Sequence, residues 1–374
     1  MTKENILWGE PGRTGASFDF RSDVVTTPSR RMLTAIANAT LNDNVYNEDE
    51  TTACFEAMMA ATCGHEAAAF VITGTMANQL ALRTLLTQPP YAILADAHAH
   101  IIHWEAGGAA LLSGAVIQAI RPLNRRHLTL DDIKKHAVIS EDIHKCPTRV
   151  ISLENTTSGT VISLTELQAI KTWATDHDIS VHLDGARLWE AVATGNGSLR
   201  DFARCGDLVT LDFSKNLGAP MGAMVLGPSK TIQKLKHIRK AIGGGMRQSG
   251  VLAAAARQAV LDNFGPGQVC TQPMLGRSHR MARLIADMWI ERGGSLLREV
   301  ETNMVWVDLR MARVDTETWN LAGRRHGIFL DGKRIVVHHQ IDKEALLQLG
   351  RVMDEVLTAR QSQSHESKLT AAKL

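Results

Sequence analysis

Lys215 stands directly after an apolar run, in LDFSKNLGAP over 211 to 220, and two other positions share that setting. Asp184 falls near the end of ISVHLDG (179 to 185). Gly74 and Thr75 lie in the turn of FVITGTMANQ, ahead of a helical pattern that begins near Met76. Open α/β sheets collect ligands beyond the carboxyl ends of their strands, so polar residues just past strand-like runs are where chemistry is sought. Singly, each has an ordinary reading: Asp184 as a helix cap, Lys215 as a solvated turn residue, Gly74-Thr75 as a strand-to-helix turn. Together they supply backbone amides and a hydroxyl for an anion at a helix N-terminus, a carboxylate to keep a pyridine nitrogen protonated, and an amine in reach of an aldehyde. Those are the parts that pyridoxal 5′-phosphate (PLP) requires, with Lys215 as its Schiff-base partner and Asp184 making the ring an electron sink.

The elements that must position these residues alternate as βαβ units do. Strand-like runs cover 91 to 96, 115 to 120, 148 to 155, 179 to 185, 207 to 214 and 222 to 227. Several are apolar almost throughout, as a sheet covered on both faces demands. Helical spacing over 164 to 178, and Thr129 with Asp132 as a capping box, fill the gaps. The fold class is therefore α/β: a large domain with a mostly parallel sheet and a smaller C-terminal α+β domain. The smaller one is read as a strand over 303 to 309, paired short strands around 327 to 339 and a helix over 342 to 361. The expected division is an N-terminal arm (1 to 20), the large domain (21 to 285), the small domain (286 to 361) and a flexible tail (362 to 374).

Lys plus Arg, 41, nearly balance Asp plus Glu, 39, which leaves no electrostatic footprint for nucleic acid or an anionic membrane. Five scattered cysteines, with no CxxC pair, predict neither a disulfide frame nor a metal site. No run approaches the roughly 20 apolar residues of a membrane span, and the first residues lack a secretory core. An intracellular chain acting on a small molecule is expected, cytoplasmic or peroxisomal, since Ala372-Lys373-Leu374 differs from the peroxisomal address Ser-Lys-Leu only at its first residue.

Stretches across most of the chain resemble the threonine aldolase family of PLP enzymes, its fungal low-specificity members in particular: VYNED (45 to 49), TGTMANQLA (73 to 81), AHIIHWEAGG (99 to 108), DIHKCPTRVISLENT (142 to 156), HLDGARLW (182 to 189), SKNLGAP (214 to 220) and GGGMRQSG (243 to 250). The resemblance implies the aspartate-aminotransferase-like fold, fold type I. It implies that Gly74 and Thr75 bind the PLP phosphate, that Asp184 holds the pyridine nitrogen, and that Lys215 carries the cofactor. His100 would stack on the ring, and Arg187 would lie near cofactor and substrate carboxylate. Ser22 and Arg334 would complete a carboxylate clamp, where a guanidinium fork gives two-point recognition. His144 and His100 would be the groups that handle the proton of the substrate's β-hydroxyl. Tyr46 and Arg247 match positions presented across a subunit interface, Arg247 toward the phosphate, so a homo-oligomer, dimer or tetramer, with a shared active site is implied.

The expected reaction is cleavage of L-threonine or L-allo-threonine to glycine and acetaldehyde. The alternative is an alanine racemase of a fungal peptide pathway, because such racemases share the scaffold. Thr157-Ser158 stand where aldolases usually carry a histidine, and Trp104 replaces a smaller or different ring residue before Glu105. A non-catalytic binding protein of the same descent would have lost Lys215 or Asp184; both are present.

Overall fold

All six apolar runs become strands, and a seventh, in the residues ahead of Gly74, precedes them. The computed structural model describes residues 15–371; the tripeptide Ala372-Lys373-Leu374 and residues 1–14 of the expected arm lie outside them. The strands are β1 (Ala67–Val71), β2 (Ala92–Asp96), β3 (Val116–Ile120), β4 (Thr148–Glu154), β5 (Ser180–Gly185), β6 (Leu208–Asp212) and β7 (Ala223–Gly227). They form one sheet in the order β1-β7-β6-β5-β4-β2-β3. Only β7 runs antiparallel, between β1 and β6; the remaining neighbours are parallel. The other six strands therefore all end at one edge of the sheet.

Helices on both faces explain why β2, β6 and β7 are buried along their whole length, whereas β3, at the margin, is not. The helix Gly74–Leu85 starts at Thr73, whose hydroxyl accepts the Met76 N–H at 3.1 Å. It buries Ala77, Leu80 and Ala81 against Ala69, Val71 and Val225. Leu80 is fully enclosed, a contribution of about 2 kcal/mol from burial. The Thr129–Asp132 capping box opens the helix Leu130–His136, and Leu164–Asp176 follows the predicted helical spacing. At the site edge, β5 and β6 approach so closely that a Cβ at Gly185 would come within 2.5 Å of the Thr210 carbonyl oxygen. Glycine is what lets Asp184 sit this near its neighbouring strand.

Two compact units result, Arg31–Pro273 and a second that joins the chain up to Arg30 with the chain from Met274. The division thus differs from the expected boundary at 285. The helix Pro273–Glu291 runs straight through that position, and its buried Ala282, Ile285, Ala286 and Trp289 belong to the core of the smaller unit. Phe20 is fully buried in that core too, and its N–H donates to the Phe329 carbonyl at 2.9 Å, so the segment around Ser22 belongs here and not to the sheet domain. β8 (Met304–Trp306) pairs antiparallel with β9 (Arg334–Val336). The expected pair within 327 to 339 shrinks to a single bridge, Asp331 to Arg334, because Phe329 is already hydrogen-bonded to the Phe18–Phe20 backbone. The last helix, Lys343–Ala371, outruns its expected end at 361, as no Gly or Pro interrupts the sequence there. Among the described residues no helix is long and apolar enough to cross a membrane.

Candidate active site

Five strand ends deliver side chains to one cleft in the larger unit. β1 leads into Gly74 and Thr75, β2 into His100, β4 ends on Glu154, β5 presents Asp184 and Arg187, and β6 presents Asp212 and Lys215. Every large-unit residue that sequence alone placed at a strand end is brought here. The N-terminus of Gly74–Leu85 opens on the cleft; the Thr73 hydroxyl takes up the Met76 amide and its carbonyl the Ala77 amide, which leaves the N–H groups of Gly74 and Thr75 as the helix-terminal donors beside the cleft.

Asp184 is buried and fixed from two sides. Its Oδ1 accepts the Ala186 N–H at 3.0 Å and its Oδ2 accepts from Asn78 Nδ2 at 2.7 Å. Asn78 is fixed in turn, since Thr210 donates to its Oδ1 at 2.8 Å. The same Asn78 amide reaches Glu105 Oε1 at 2.8 Å, Gln79 donates to Glu105 Oε2 at 2.5 Å, and Glu105 Oε1 meets His100 Nδ1 at 2.7 Å. A continuous polar chain thus runs Asp184, Asn78, Glu105, His100; the first three are buried, where such bonds strengthen one another, and the His100 ring at its end is 39% accessible. The hydrogen bond to Glu105 lifts the His100 imidazole above the ordinary histidine range, with burial opposing.

Glu154 stands in register with Asp184 on the adjacent strand and accepts the His100 backbone N–H at 3.0 Å. Burial first, and then the Asp184 charge, push its carboxyl up to about 7. Next to it, Thr156 lines the cleft and carries a buried hydroxyl with no hydrogen-bond partner among the described residues. The buried carboxyl of Asp184, the half-buried one of Glu154 beside it and an unsatisfied hydroxyl mark a place that polar atoms from outside the chain can complete.

Other predicted residues lie elsewhere. His144 is an exposed loop residue, its side chain 85% accessible, hydrogen-bonded through Nδ1 to Asp142 at 2.9 Å; it does not line the cleft. Tyr46 is exposed, and Arg247, also exposed, pairs with Asp43. Ser22 and Arg334 belong to the smaller unit, where the Ser22 hydroxyl caps a short 3-10 turn and Arg334 Nη2 donates to the Arg21 carbonyl at 3.2 Å. Sequence reasoning gave no role to Asn78, Gln79, Glu154 and Asp212. A signal existed for the first two: polar residues between Ala77 and Leu80, on a helix that must bury that face, call for buried partners.

An amine, an enclosed carboxylate and an anion cradle at the carboxyl edge of such a sheet define an enzyme, and its class is that of the lyases. The chain belongs to the beta-eliminating lyase family, which matches residues 19–312. It is 49% identical over 356 residues to the alanine racemase TOXG of Cochliobolus carbonum, covering 95% of this chain and 91% of that one. It is 41% identical over 343 residues to the low-specificity L-threonine aldolase of Eremothecium gossypii, covering 91% and 88%. Among solved structures, the threonine aldolase of Leishmania major superposes with a TM-score of 0.73 at 18% identity, covering 92% of this chain and 99% of that one. The fold is therefore the one the sequence resemblance implies.

Proposed function

We propose that the cleft holds PLP and that the enzyme cleaves the Cα–Cβ bond of a β-hydroxy amino acid of the threonine class, giving glycine and an aldehyde. The donor set fits the cofactor. A phosphate suits the amides of Gly74 and Thr75 at their helix N-terminus, a pyridinium N–H suits the fixed carboxylate of Asp184, and the unpartnered Thr156 hydroxyl is a donor for a further oxygen. When bound, PLP accepts the electron pair of whichever Cα bond of its attached amino acid stands perpendicular to the pyridine ring.

The chain's residues choose that bond and manage the protons. Lys215, whose amine borders the same cleft, would hold the cofactor through its aldehyde. Arg187, at the same cleft, is the guanidinium for the substrate carboxylate. The observation that carries the aldolase reading is the His100–Glu105 pair. A carboxylate with no accessible side-chain surface, 2.7 Å from the ring, raises the basicity of the imidazole that borders the reacting position, which suits removal of a hydroxyl proton.

The assembly and location form part of the same proposal. Exposed Tyr46 and Arg247 take up their implied roles only when a second copy presents them, so a homodimer or tetramer is the working state. The chain works in the peroxisome where Ala372-Lys373-Leu374 is read as an address and in the cytoplasm otherwise. A second reading, alanine racemisation, is favoured by the 49% identity to a named racemase and by Thr157-Ser158 in place of a histidine. It would use Lys215 as one of two proton carriers at Cα. Purified enzyme given L-threonine, L-allo-threonine and L-alanine decides: acetaldehyde and glycine formed far faster than D-alanine supports the aldolase, and the reverse ratio replaces it with the racemase.

A further inference from the structure

Asp212 sits at the end of the cleft where a carboxylate is least expected. The last residue of β6, it is held rigidly: Trp189 Nε1 donates to its carbonyl at 2.9 Å, and its backbone pairs with Ala223 of β7. Its Oδ1 accepts two bonds from Ser214, from the N–H and from the hydroxyl, both at 2.7 Å. That fixes the other oxygen. Oδ2 lies against Gly74, so close that a Cβ added there would stand 2.8 Å from it. Gly74 is the first residue of the Gly74–Leu85 helix, whose positive end attracts any anion within a turn. The buried Asp212 carboxyl already occupies that position.

We propose that Asp212 is a negative determinant of cofactor binding: its carboxylate competes with the cofactor phosphate for the N-terminus of the Gly74–Leu85 helix, so that PLP is held less tightly than the cradle alone would hold it. The inference rests on the reading that PLP occupies this cleft. Two anions at one helix terminus share a single attractive field and repel each other, and enclosure weakens the screening that would hide this repulsion in water. Asp212 therefore sets how readily the enzyme exchanges cofactor with the free pool, and it acts on the phosphate and not on the pyridine ring.

The sharpest variant is Asp212→Asn. Its Oδ1 still accepts from Ser214, while Nδ2 replaces the oxygen facing Gly74 with a donor. Apoenzyme is titrated with PLP and, separately, with pyridoxal, which lacks the phosphate, and dissociation constants are read from the absorbance of the bound chromophore. In Asp212→Asn the PLP constant falls by about tenfold, as the loss of one close like-charge contact implies, while that for pyridoxal stays within about twofold. Asp212→Ala, which removes the charge without adding a donor, moves PLP the same way by a smaller factor; melting curves identify a variant that has lost its fold, and Asp212→Asn then decides alone. An unchanged or weaker PLP affinity in folded Asp212→Asn, or an equal gain for pyridoxal, overturns the role of Asp212. Failure of the wild type to saturate with PLP at all overturns the cofactor reading instead.

Discussion

Two histidine–carboxylate pairs of nearly equal length, His100–Glu105 at 2.7 Å and His144–Asp142 at 2.9 Å, differ in everything that surrounds them. Glu105 has no accessible side-chain surface and is held by Asn78 and Gln79; Asp142 is 44% accessible and lies in a loop. At the first, the carboxylate charge acts through protein and raises the imidazole above its ordinary range. At the second, the His144 backbone and ring bonds hold the Asp142 carboxyl low, but water and salt screen the pair. Sequence motifs nominated both histidines for proton transfer. Separation alone does not make a catalytic pair; the enclosure around it does.

The comparison depends first on the enclosed region being the site, and Lys215→Ala tests that most severely. Activity should fall about a thousandfold or more and the absorbance of bound cofactor should vanish, since among the described residues lining the cleft Lys215 is the one amine. Persistence of either would move the site elsewhere. Next in size, His100→Phe keeps an aromatic ring at the cleft but removes the imidazole proposed to carry the proton, with kcat expected to drop about a hundredfold. Glu105→Gln sharpens the contrast further. Removing the charge lowers the pKa of His100, and a base works only when deprotonated, so the acid limb of the pH–rate profile should move to lower pH, by up to about one unit. A limb that stays in place would show that the pair does not govern the rate. The smallest effect is expected at His144→Ala, within about threefold of wild-type kcat and with an unshifted pH profile. A loss as large as that of His100→Phe would break the comparison and require His144 to be supplied to a neighbouring copy.

Much of the cofactor end of the site was legible because a strand run ends where its sheet ends. Lys215 and Gly74-Thr75 lie just past such runs and Asp184 at the end of one, and the parallel pairing brings those ends to one edge. What could not be read is the order of the strands, on which Asn78, Glu105 and Asp184 depend for their contact across 27 and 106 residues of separation. Asp212 looked like one more strand residue in LDFSK, and only the approach of β6 to the Gly74 turn gives its carboxylate a neighbour. The unit boundary was missed for a related reason: the 19-residue helix from Pro273 has no breaker at 285, and composition does not reveal which core its buried face joins.

The reversed strand β7 has a consequence for anyone who would move this site. Lying between β1 and β6, it spaces the end that leads to the Gly74 turn from the end that leads to Lys215 by two inter-strand distances, roughly 10 Å. Because it begins at the edge where those strands finish, the lysine loop is a short return of the chain, between Asp212 and Ala223. Hydrogen bonds along both sides of β7 make it a ruler that loop motion cannot stretch. A graft carrying only the side chains into an all-parallel scaffold would reproduce the parts and lose the gauge that sets them.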